Sequence, residues 1–141
     1  MPVANNMGQL ENMFRQHLQK AMRVVQAKAE EDMFEETGMF YTVGTPKLYP
    51  RTGGLGSSPR TTALSVGGNS VSFEAYLEPP DYSAVNAYLQ SLGYQSYFSG
   101  MQVLTAAEQH RAHILGKPYF WSRAKKKIER DFYNTMQSFF S

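Results

Sequence analysis

The sequence predicts an α+β fold: a long N-terminal helix, a small antiparallel β-sheet with a central hairpin, and a C-terminal helix. Three observations carry this. Apolar residues recur at steps of three and four through the first quarter of the chain. Two strand-like runs flank Gly67-Gly68-Asn69. A second three-and-four stripe fills the last twenty residues. At 141 residues the chain suits a single domain with one modest core.

The first helix falls within 1–38. Met7, Leu10, Phe14, Leu18, Met22, Val25, Ala29 and Met33 draw its apolar stripe. Asn5 or Asn6 can accept from the first free N–H groups, and Gly38 can end the helix in the left-handed conformation. A helix of about 30 residues runs roughly 45 Å, so one end is expected to project or to pack on a neighbouring subunit. The segment 39–60 is a Gly/Pro-rich loop, with Met39 to Val43 as a candidate short strand at its start.

The hairpin occupies 61–78, with Thr61 to Val66 as one arm and Val71 to Leu77 as the other. Val71, Phe73, Ala75 and Leu77 alternate with Ser72, Glu74 and Tyr76, giving one apolar and one wet face. A mixed region covers 79–116. Pro79 and Pro80 stop the strand, Asp81 caps a short helix, and Gly93 ends it. A further helix or strand–helix segment is expected between Met101 and Leu115. The C-terminal helix lies in 117–141, with Trp121, Ala124, Ile128, Phe132 and Met136 in its stripe.

Composition excludes several function classes. The chain has no cysteine, so disulfide and thiolate chemistry are absent and a reducing compartment suits it. No run approaches the roughly 20 apolar residues of a membrane helix, and Met1 to Gly8 lacks the basic-then-apolar order of a secretory signal. No membrane partner is expected. Nine Tyr and nine Phe are many for this length and suit protein contacts.

No catalytic constellation stands out. Arg51 to Ser58 is glycine-rich but lacks the Lys-Ser/Thr of a phosphate loop and the strand and helix of a dinucleotide fingerprint. His110 and His113 would share a helical face, yet no third metal ligand accompanies them. No Ser/His/Asp order appears. The chain therefore reads as a non-enzyme with no cofactor and no metal.

Charge is split into blocks that the net +2 conceals. Glu30, Glu31, Asp32, Glu35 and Glu36 crowd one stretch, read as a solvated helix face. Lys117, Arg123, Lys125, Lys126, Lys127 and Arg130 crowd another. A heterologous contact between identical subunits could use such complementary blocks. The basic block also admits an alternative, a small nucleic-acid-binding protein using its C-terminal helix.

Two segments point further. Tyr49-Pro50-Arg51-Thr52-Gly53-Gly54-Leu55 forms a Y-x-R-T-G-x-L stretch after the long helix, and Gly116-Lys117-Pro118-Tyr119-Phe120-Trp121 leads into the last helix. Together they resemble the tail-completion or head–tail joining (neck) proteins of long-tailed bacteriophages. The resemblance implies a structural virion protein, made in the host cytoplasm. It would form a ring, six-fold by expectation, that binds other neck or tail rings and surrounds a DNA channel. The expected interface residues are then Glu30, Glu31, Asp32, Glu35 and Glu36, the loop residues Arg51, Thr52, Gly53, Gly54 and Leu55, and Lys117, Tyr119, Arg123, Lys125, Lys126 and Lys127.

Overall fold

The computed structural model describes residues 5–42, 54–68, 70–93, 99–110 and 116–141. It is the expected α+β arrangement. Helix α1 spans Met7–Met39 and passes into a 3₁₀ turn, Phe40–Thr42. Strands β1 (Pro59–Thr61), β2 (Ser65–Val66), β3 (Val71–Ser72) and β4 (Ala75–Leu77) follow. Helices α2 (Ser83–Ser91), α3 (Gly100–Glu108) and α4 (Phe120–Phe140) complete the order.

The frame is an antiparallel pair, α1 against α4. His17 Nε2 meets the Phe139 carbonyl at one end, and Glu36 meets Arg123 at the other. Small side chains let the backbones approach: Ala21, Ala29 and Ala124 are buried on this seam beside Val25 and Met33. Asn6 starts α1 by accepting from the Gln9 N–H at 2.8 Å, which satisfies one otherwise free donor. The helix begins before its partner ends. Phe14 already stacks on Phe140, with ring centroids 5.3 Å apart, so the turns from Met7 to Met13 overhang α4.

Two expectations about the end of α1 are corrected. Gly38 does not terminate the helix but lies within it. Met39 to Thr42 is not a strand but the last helical residue and a 3₁₀ turn, while Val43 lies outside the described residues. The cause is tertiary. Phe40 is buried edge-on against Phe120, and its carbonyl accepts from the Lys117 N–H at 3.1 Å. That anchoring outweighs the helix penalty of one glycine, about 1 kcal/mol.

The hairpin is present but interrupted. β1 pairs antiparallel with β4 (Arg60 opposite Tyr76), and β2 pairs antiparallel with β3 (Val66 opposite Val71). Between the two ladders Thr62, Ala63 and Leu64 stand against only Phe73 and Glu74, so the extra residue makes a bulge. Thr62 bridges it: its N–H donates to the Glu74 carbonyl and its hydroxyl accepts from the Glu74 N–H. The expected alternation holds, with Val71, Phe73, Ala75 and Leu77 half-buried and Ser72, Glu74 and Tyr76 exposed. The sheet lies on α1, where the Gln26 amide donates to the Thr62 carbonyl and Thr61 donates to Glu30.

Asp81 acts one residue before the N-cap of α2, accepting from the Ser83 N–H at 2.9 Å, and Gly93 ends that region at a φ of 89°. α3 stops at Glu108, and His110 sits past it with a φ of 55°. Of the expected helical histidine pair, His110 is beyond the helix, and His113 lies outside the described residues. In α4 the buried side is Phe120, Ala124 and Thr135, whereas Phe132 is exposed. The seam is rotated from the apolar stripe because Lys127 and Asp131 share it.

Beneath the open end of the helix pair, Phe40, Leu55, Ala107 and Phe120 form one apolar cluster, with Tyr41, Leu77, Leu104 and Trp121 packed around it. Gly116 lies flat on the Phe40 ring, where a methyl group would collide with the ring carbons. We expect Gly116→Ala to lower stability by about 2 kcal/mol, the usual range for overpacking. Urea unfolding monitored at Trp121 measures it, and an unchanged midpoint would contradict this packing.

Candidate functional site

The side chains singled out by charge gather at the open end of the α1–α4 seam. Glu36 is 5% exposed and lies between two cations of α4. Its carboxylate accepts from Arg123 Nε at 2.7 Å and pairs with Lys127 Nζ at 2.9 Å. Lys127 also donates to Glu35 at 2.9 Å. Arg123 donates a further bond to the Pro118 carbonyl, and its Nη2 is buried with no hydrogen-bond partner among the described residues. One turn along, Asp32 is buried opposite Asp131.

Burial alone would raise the Glu36 carboxyl, but the hydrogen bonds and charges of Arg123 and Lys127 outweigh it and hold the group below its ordinary value. Lys127 is held above its ordinary value, first by its bond to Glu35, against the opposing effect of burial, with Glu36 adding to it. The Glu36 contribution to stability is therefore complete above its ordinary value of 4.5 and is lost as pH falls from there through the lowered value it has in the fold.

This geometry changes the reading of the two charge blocks. They meet within one chain. Asp32 and Glu36 are not on a solvated face: they sit at i and i+4 on the α4-facing stripe, and the alanines there leave room for them. Glu35, Glu36, Arg123 and Lys127 are engaged with one another. Glu30 is exposed and accepts from Thr61, while Glu31, Lys125 and Lys126 are exposed at the surface. Of the loop, Arg51, Thr52 and Gly53 lie outside the described residues. Gly54 is half-buried, and Leu55 is buried in the cluster with Phe40 and Phe120.

The start of α4 is built from two places. Tyr119 is 54% exposed and holds a φ of 63°, a left-handed conformation uncommon for an aromatic residue. Its N–H donates to the Glu108 carbonyl at 2.8 Å. The Glu108 carboxylate then accepts from the Trp121 N–H at 2.8 Å, the Ser122 N–H at 3.1 Å and the Ser122 hydroxyl at 2.8 Å. A residue at the end of α3 thus serves as the cap of α4, and its charge suits the positive helix end. Lys117 is half-buried beside it.

Sequence reasoning missed Glu108 as a cap and Asp131 as the partner of Asp32. No local pattern announces Glu108, which reaches the helix from thirteen residues away. Asp131 was legible as the residue one turn after Lys127 on the same face. Two open depressions flank Pro80, of about 340 and 420 Å³. Their polar lining includes Asp81 and the ion pair Arg60–Glu78. Among the described residues no three His, Asp or Glu side chains gather as a metal site, and no helix is long and apolar enough to cross a membrane. No protein-family model, curated protein or solved structure matches this chain.

The two kinds of lysine separate experimentally. Lys127→Glu sets a third acid against Glu35 and Glu36, and we expect it to cost about 3 kcal/mol, as for a broken buried pair. Lys125→Glu with Lys126→Glu, at exposed positions, should stay within about 0.5 kcal/mol each. Chemical denaturation at neutral pH measures both, and equal losses would contradict the geometry. Glu108→Ala should lower stability by about 1 kcal/mol through loss of the cap, visible as a lower thermal midpoint.

Proposed function

We propose that this chain is a structural, non-catalytic virion protein of a long-tailed phage, forming a ring at the head–tail junction. The observation that carries this reading is where its two motif segments lie. Leu55, from the R-T-G-x-L stretch, and Gly116 and Phe120, from the segment before α4, converge on Phe40. Segments about sixty residues apart thus share one cluster at the open end of the helix pair. Beside Leu55 the backbone is tethered there, with the Gly56 N–H donating to the Tyr41 hydroxyl at 3.0 Å. A loop anchored at its base can present the residues before it to a neighbouring chain.

In this reading the ring is six-fold, it stacks on other neck or tail rings, and DNA passes through its channel. Since Arg123 and Lys127 are committed within the chain, the charges offered to neighbours include Glu31, Lys125 and Lys126, all exposed, while Tyr119 is exposed and Lys117 half-buried before α4. The same exposed lysines favour the second reading, a nucleic-acid contact through α4.

Native mass measurement of the purified chain, alone and with candidate neck or tail ring proteins, tests the proposal. A ring formed alone or on a partner ring is the expected result, and Lys125→Glu with Lys126→Glu should abolish it while leaving the monomer folded. A chain that binds no ring protein, yet retards duplex DNA with an affinity falling steeply with salt, would overturn it in favour of the second reading.

A further inference from the structure

We propose that Asp32 and Asp131 form a proton-sharing carboxyl pair that makes the α1–α4 seam a pH-sensitive joint, tight while one proton bridges them and loosened when both ionise. Asp32 is 6% exposed, and its Oδ2 has no hydrogen-bond partner among the described residues. Antiparallel register sets Asp131 opposite Asp32 across the seam, since Asp32 lies one turn before Glu36 and Asp131 one turn after its partner Lys127. Two ionised carboxylates there would repel, and the Asp32 Oδ2 would be a buried anionic oxygen without a donor among the described residues. A single proton on Asp32 removes both faults, because its O–H then donates to the Asp131 carboxylate.

The neighbouring cations do not replace that proton. On α4, Lys127 is committed to Glu35 and Glu36 at 2.9 Å each. Arg130 reaches only Asp131, at 3.4 Å, from an exposed position. On α1, Lys28 acts on Asp131 from the exposed rim, and Glu36 is already paired. The strands meet the other flank of α1, through Gln26 and Glu30, and their Arg60 is paired with Glu78 while Glu74 is exposed. Burial is the main cause that raises the Asp32 carboxyl, from 3.8 to about 7, followed by the hydrogen bond and charge of Asp131; Lys127 and Arg130 oppose it and are outweighed. Asp131 is held low, first by that same hydrogen bond.

The sign follows from linkage. The folded chain holds the Asp32 proton more tightly than the unfolded chain does. Its contribution is complete below about pH 4, falls as pH rises through the window up to about 7, and is absent above it. Glu36 acts oppositely and in more acid solution. The seam is therefore tightest in mildly acidic conditions and loosens toward and past neutrality. The joint depends on the seam alone and holds whatever the chain assembles with.

Thermal unfolding of the full chain between pH 5 and 8 tests the pair, alongside Asp32→Asn, whose amide donates the same bond without ionising. The wild-type midpoint should drop by roughly 5 °C more than that of the variant over this range, and the variant should be the more stable at pH 8. Carbon NMR of the Asp32 carboxyl in the wild-type chain should show a midpoint near neutrality, which keeps the test alive if the variant fails to fold. The chain has no cysteine, so spin labels at Arg23→Cys and Gln137→Cys report the seam directly. Their distance distribution should broaden from pH 5 to 8. Parallel melting curves, an Asp32 midpoint below pH 5, or an unchanged label distance would each overturn the proposal.

Discussion

Close approach of α1 and α4 is the constraint on which the other features depend. Ala21 and Ala29 on one helix and Ala124 on the other leave little side-chain bulk between the backbones. Bulkier residues there would hold the helices apart and leave Glu36 in water with Arg123 and Lys127. At the present spacing the carboxylate is buried and must be paired, since an isolated buried charge is costly. The seam is thus polar at Asp32, Glu36, Lys127 and Asp131 and small-apolar elsewhere. Such a seam sets register more sharply than a continuous apolar stripe, because sliding either helix by one turn would separate every one of these pairs.

The cluster around Phe40 sets the other boundary condition. Phe40 ends α1, receives the Lys117 N–H on its carbonyl and packs on Phe120, so the end of one long helix and the start of the other are fixed together. Glu108 contributes from α3 by capping α4. The strands attach to α1 mainly through β1 and to the cluster through Leu77 at the end of β4, which leaves the far end of the hairpin away from the cluster. There the overhanging residues Met7 and Leu10 are 70% and 51% exposed, and Phe14, where the pairing with α4 begins, is still 57% exposed. The molecule is consolidated at one end and bare at the other, a distribution that suits a subunit whose long helix meets neighbours.

The charge blocks illustrate how a correct observation can support different physics. Their complementarity is real, but much of it is satisfied within one chain, where Arg123 and Lys127 of α4 pair with Glu35 and the buried Glu36. What remains outward without a partner across the seam is a smaller set that includes Glu31, Lys125 and Lys126. Steering by such exposed charges governs association rate and partner choice more than affinity. The head–tail junction reading therefore rests more on the convergence of the two motif segments than on the charge pattern.

Local sequence by itself determined the long elements: the three-and-four stripe of α1, its start at Asn5 or Asn6, the two hairpin arms with the alternating faces of the second, and the final helix. Each of these is encoded within a few residues, by periodicity, a cap or a turn. Position on the helix also made Asp32 and Glu36 neighbours of Ala29, so their burial was legible in principle, although charge made a solvated face the simpler reading. Only the tertiary structure decided where α1 ends, which lysine is free, what caps α4 and what faces Asp32. In each case the deciding group arrives from far along the chain: Phe120 for Phe40, Glu35 and Glu36 for Lys127, Glu108 for α4, and Asp131 for Asp32. Periodicity records which side of a helix is covered; it does not record the chemistry of what covers it.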